Sequence, residues 1–168
     1  MPVTVKGGIE LRKALRKFTP DLAKETQKEI GSLLKPIASK ARGFIPSSAP
    51  LSGWGKASID AKWYWDARAA KKGVGYKTTP SRPNRQGFVS LARIQNASRS
   101  GAIYETAGRK NPGGNFNPRL PSTLVGKGKM AGRAIFRAWS EDNGKTNAAV
   151  IKAIESSRDK FNKAVGNN

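Results

Sequence analysis

The chain is 168 residues long, enough for one domain with a hydrophobic core and too short for two comfortable ones. It carries 32 Lys and Arg against 11 Asp and Glu, a formal charge of +21, and contains neither Cys nor His. That composition excludes disulfides, thiol chemistry and thiolate or imidazole metal sites, and it removes the side chain most used for acid–base work at neutral pH. No catalytic centre, cofactor site or metal site is expected, since the few acids are scattered.

In chain order, a first helix is predicted over Gly8–Phe18, with Ile9, Leu11, Leu15 and Phe18 near one face and Arg12, Lys13, Arg16 and Lys17 around the rest. Thr19-Pro20-Asp21 then reads as an N-cap, a proline at the first helical position and an acid at the positive end of the helix dipole. The long helix that follows has Leu22, Thr26, Ile30, Leu33, Leu34, Ile37 and Ala41 at steps of three and four. Pro36 removes one of its backbone hydrogen bonds and predicts a kink near Ser32–Pro36, and Gly43 offers a stop. Residues 46–66 read as an aromatic loop or arm holding Trp54, Trp63, Tyr64 and Trp65. Core anchoring is the plain expectation for these rings, docking on a partner the sharper one, and base stacking a third.

Two strands are predicted next, Ala67–Thr79 through the alternation of Val74 and Tyr76, and Gly87–Ala97 through Phe88, Val89, Leu91 and Ile94. Between them, residues 77–88 form the basic tip of a long antiparallel hairpin, with Pro80, Arg82, Pro83 and Arg85 and no acid. Ala102–Ala107 fits one helical turn. Residues 108–132 are rich in Gly, Pro and Asn, which predicts an extended loop ordered only in an assembly, with Phe116, Leu120 and Leu124 as anchors. Ala134–Trp139 fits a strand or a helical turn. A final helix, capped by Thr146 or Asn147, carries Val150, Ile151, Ile154, Phe161 and Val165 on one side. The expected class is α+β: one domain over 1–168, in which a long kinked helix and a C-terminal helix pack on a small antiparallel sheet with projecting loops.

Charge is unevenly spread. Residues 67–140 hold fifteen Lys and Arg and a single acid, Glu105. Such a field is costly as self-repulsion unless an anionic partner meets it, so Arg68, Lys71, Lys72, Lys77, Arg82 and Arg85 are the candidate surface for DNA or an acidic neighbour. Trp54, Trp63, Trp65, Phe116 and Leu120 are the candidate interface anchors. Gly73-x-Gly75 and Gly126-x-Gly128-Lys129 fall short of a phosphate-binding loop, and Glu141-Asp142 lacks the geometry of a carboxylate pair. No run of eighteen apolar residues is present, so no membrane span is expected, and Met1-Pro2-Val3-Thr4-Val5 lacks the layout of a secretory signal.

The order of motifs carries a resemblance. Gly8-x-x-Leu11-x-x-x-Leu15 precedes a proline-initiated long helix that ends in Ala38-x-x-Ala41-Arg42-x-x-Ile45-Pro46, followed by Leu51-Ser52-Gly53-Trp54. Further on stands Tyr104-Glu105-Thr106-Ala107-Gly108. This pattern resembles the tail-completion or neck proteins of long-tailed bacteriophages, the gene-ten-like family. The resemblance implies a non-enzymatic structural virion protein, made in the host cytoplasm, forming a homo-oligomeric ring (a hexamer) at the head–tail neck or tail top. Its partners would be the connector and the tail-tube or tail-terminator proteins, with DNA in the channel as a further contact. The alternative is a stand-alone basic nucleic-acid-binding protein.

Overall fold

The computed structural model describes residues 7–51, 54, 64–111, 119–120 and 122–166. Within them lie six α-helices and a two-stranded antiparallel sheet, an α+β fold. The chain, expected as one domain, divides into two compact units: residues up to Lys35 with Tyr76–Arg93 and the chain from Gly144, and Pro36–Gly75 with Ile94–Asn143. No helix among the described residues is long and apolar enough to cross a membrane.

The first unit is built from α1 (Gly8–Phe18), the N-terminal part of α2 (Pro20–Gly43) and α6 (Lys145–Gly166). Thr19 sits at the break between α1 and α2, where its hydroxyl donates back to the Leu15 carbonyl at 3.3 Å and closes α1. Leu15, Ala23, Ile30, Leu34, Ala153 and Ile154 are buried. Leu22 and Leu33, expected in the same core, are only half-buried, because both stand to one side of the stripe that Ile30 and Leu34 define. Thr26 and Ser157 meet hydroxyl to hydroxyl at 2.7 Å, tying α2 to α6. The ring of Tyr76 lies over Gly31, 3.2 Å from where a β-carbon would stand.

The second unit takes the rest of α2, α3 (Ala67–Gly73), α4 (Arg99–Thr106) and α5 (Ile135–Glu141). Its core gathers Ile37, Ala38, Ala41, Ile45, Trp65, Val74, Tyr104 and Ala138. Pro36 lies inside α2, which continues through it to Gly43, where the sequence placed the stop.

The expected strand over Ala67–Thr79 is corrected. Residues 67–73 are the helix α3, and only β1 (Val74–Lys77) is extended. The reason is local: the Asp66 carboxylate accepts from the Ala69 N–H at 2.8 Å, an N-cap in front of Ala-Arg-Ala-Ala-Lys-Lys, all good helix formers. Likewise β2 shrinks from Gly87–Ala97 to Arg93–Asn96. Beyond the strands the hairpin is held by side chains as much as by backbone. Ser81 N–H donates to the Ser90 carbonyl and Ser90 N–H to the Ser81 hydroxyl, both at 2.9 Å. At the tip the Asn84 side-chain oxygen accepts from the Gln86 and Phe88 N–H groups, each at 2.9 Å. Gly87 completes that turn at φ +79°, a left-handed conformation that a β-carbon would strain.

The loop expected to order only in an assembly is corrected in part. Residues 112–118 and 121 lie outside the described residues. Val125 and Gly132, however, exchange two backbone hydrogen bonds of 2.9 Å around a 3₁₀ turn at Gly128–Met130, so this stretch is organised within the single chain.

Candidate functional site

Helix α3 and the end of α2 present four cations together. Arg68, Lys71 and Lys72 stand three and four residues apart on α3, which places them on neighbouring faces of two helical turns. With Arg42 and Ala67 they line an open, shallow depression of about 580 Å³. Arg42 grips the Val74 carbonyl through Nε at 3.0 Å and Nη2 at 2.8 Å, which fixes its guanidinium beside the others. Lys71 donates to the Ser47 hydroxyl at 2.8 Å and is half-buried, whereas Arg68 and Lys72 are exposed. Lys71 and Lys72 occupy the last turn of α3, where the negative end of the helix dipole favours cations. Arg42 was not among the sequence candidates; its signal was its place in the last turn of an amphipathic helix, one step beyond the buried Ala41.

The other three basic candidates belong to the first unit. Lys77 ends β1, and Arg82 and Arg85 flank the Asn84 turn, all exposed. Among the described residues the ion pairs involve Lys24, Lys40, Arg137, Arg158 and Lys160, and none of the six candidates. Several of the described acids are committed elsewhere. Glu141 receives Lys40 at 2.8 Å and Arg137 at 3.0 Å, and those two hydrogen bonds hold its carboxyl below the usual glutamate range. The hydrogen bond from Lys160 to Glu25, 2.8 Å long, raises the lysine above its ordinary value.

Glu105, the lone acid of the basic middle, is 5 % exposed and serves the backbone. Its carboxylate accepts from the N–H groups of Ala134 at 2.8 Å, Ile135 at 3.1 Å and Phe136 at 3.0 Å, which are the orphan donors at the start of α5. Gly132 lets it pass, since a β-carbon there would collide with the carboxylate and with Phe136. Beside it Arg133 is fully buried and donates to the carbonyls of Ser122 at 2.9 Å, Tyr104 at 3.1 Å and Ala107 at 2.6 Å. Burial pushes the Arg133 pKa down, and its neighbours Tyr104 (as phenolate, at the high pH where an arginine titrates) and Glu105 push it back up. Arg133 therefore belongs to the fold and not to the basic surface in which the sequence count included it.

The described anchor candidates pack within the second unit. Trp65 is 9 % exposed, stacks on half-buried Trp54 at 6.2 Å and meets Tyr104 edge-on at 5.6 Å. Leu120 is 6 % exposed. Trp65 and Leu120 bury most of their surface within their own unit, where burial of large apolar area is itself a source of stability. Trp63 and Phe116 lie outside the described residues. Comparison with protein-family models, with curated proteins and with solved structures found no match to this chain.

Proposed function

We propose that the chain is a structural virion protein that forms a homo-oligomeric ring at the head–tail neck or tail top of a long-tailed phage. There it would join the connector to the tail tube without enzymatic chemistry. The observation that carries this reading is the exposed basic set on ordered elements, Arg68, Lys72, Lys77, Arg82 and Arg85, which no acid among the described residues pairs. Ligand pockets are concave and bury most of their ligand, whereas the depression at Arg42, Arg68, Lys71 and Lys72 is open and ringed by cations. It suits an extended acidic surface, either a neighbouring protein ring or the phosphates of channel DNA. The resemblance in motif order adds the ring and its place in the particle.

A second reading, a stand-alone nucleic-acid-binding protein, is favoured by the same four cations acting on phosphates. Neutralising four phosphates gives a slope of about −3 to −4 in log affinity against log salt, so binding to a short duplex would fall about a hundredfold between roughly 50 and 200 mM salt. Native mass spectrometry with negative-stain imaging, run beside a duplex titration, separates the two. The ring reading expects closed oligomers, six copies by the resemblance, that Arg82→Glu with Arg85→Glu disrupts while the thermal melt is unchanged. A chain that stays monomeric at every concentration and binds duplex with that steep salt slope rejects the ring.

A further inference from the structure

The first unit holds a small, half-open cavity with one incompletely satisfied cation in its wall. Arg12 on α1 donates through Nη1 to the carbonyls of Thr78 at 2.6 Å and Leu91 at 3.4 Å. Its Nε and Nη2 are buried with no hydrogen-bond partner. These two nitrogens form one edge of the guanidinium, the edge that grips a carboxylate with two parallel N–H···O bonds. Leaving such donors dry is costly, since a buried polar group without a partner forfeits its hydration and gains nothing in return. Burial, and then the neighbouring Arg16, push the Arg12 pKa down.

The cavity beside it is apolar. Leu15, Ala23, Ile30, Leu91 and Ile154 line it, and its volume is about 40 Å³. The hydroxyls of Thr26 and Ser157 also reach it, but their two protons are taken up among the contact between them and the nearby carbonyls of Leu22 and Ala153. One water needs on the order of 10–15 Å³ on this measure, so the space holds roughly three waters, the size of a carboxylate group itself, and the open side of the cavity leaves room for one or two carbons. A doubly charged phosphate or sulfate would bury two charges against one among hydrocarbon walls, which is the costlier arrangement.

We propose that this cavity is a binding site for a short-chain monocarboxylate of acetate to propionate size, held by the Nε/Nη2 edge of Arg12 with its carbons against Leu15, Ile30 and Ile154. The site is independent of the basic depression and of the virion reading. It would tie α1, α2 and α6 to the hairpin through one ligand, because Arg12 also holds the Thr78 and Leu91 carbonyls.

The test uses the full chain, with propionate as probe and with propanol and sulfate at matched ionic strength as controls. The Arg12 Nε–H resonance is followed by ¹H–¹⁵N NMR, and the thermal midpoint is recorded in parallel. Propionate is expected to shift that resonance saturably and to raise the midpoint; propanol and sulfate leave the resonance unshifted, although sulfate stabilises the fold generally by exclusion from the surface. Arg12→Lys keeps the charge and loses the two-pronged edge, so at least tenfold weaker binding is expected. Should that variant not fold, the wild-type titration decides alone. No saturable shift with propionate, or an equal shift with sulfate, overturns the assignment.

Discussion

Removing the Glu105 carboxylate should destabilise the protein well beyond a surface substitution. In Glu105→Ala three backbone donors, those of Ala134, Ile135 and Phe136, lose their acceptor together, and the first of them is buried. A hydrogen bond to a charged group contributes about 1.5–3 kcal/mol, and three such bonds summed independently would exceed what one residue supplies. The bonds share a single charge, and water can reach the half-buried Ile135 and Phe136 amides, so about 3–4 kcal/mol is the reasoned loss for Glu105→Ala. Glu105→Gln keeps one acceptor oxygen but turns an amide nitrogen toward N–H groups, and should cost about 1.5–3 kcal/mol. Against a typical total of about 5–15 kcal/mol, the alanine variant is severe, and its midpoint should fall by about 6–16 °C. Urea unfolding followed by tryptophan fluorescence is a fitting assay, since Trp65 lies 5.6 Å from Tyr104, the residue before Glu105. A loss below about 0.5 kcal/mol for both variants, the range of ordinary surface changes, would refute the capping role.

The long helix offers a ranking test. Leu34→Ala, at 3 % exposure, should cost about 2–5 kcal/mol in chemical denaturation, and half-buried Leu33→Ala clearly less; the reverse order would mean that the core stripe is misplaced. Glu141 offers a pH test. Its folded pKa is depressed by the hydrogen bonds from Lys40 and Arg137, so its contribution to stability is complete above the ordinary glutamate range and is lost as pH falls through the lower folded value. A carboxyl NMR titration should therefore give a lower midpoint in the wild type than in Lys40→Met, and coincident midpoints would count against the pairing.

The sequence was most informative where one physical signal dominated. Strong apolar periodicity placed α1 at its observed bounds, and Pro20 and Gly43 marked both ends of α2. It failed where a single side chain outweighed a weak pattern: the Asp66 cap converted a sparse alternation into α3. Charge counting failed for another reason. Composition weighs every arginine alike, yet Arg133 is buried among carbonyls, Arg137 is paired with Glu141, and Glu105 caps a helix. The exposed part of the basic middle is smaller than the count implied, and Arg42, from outside that stretch, joins it. Trp65 and Leu120 show the same limit for apolar residues, because a sequence does not distinguish a ring that fills its own core from one reserved for a neighbour.

Neither compact unit is a continuous stretch of chain, and this has a consequence for how the protein emerges from the ribosome. All of the second unit, through Asn143, has been synthesised before α6 begins at Lys145. The first unit must wait for that 22-residue helix, an interval of about 1–4 s at translation rates of roughly 5–20 residues per second. During that interval Leu15, Ile30 and Leu34 lack the helix that supplies Ile154 to their core, so nascent chains stalled just before Lys145 should be the species that chaperones and proteases engage first.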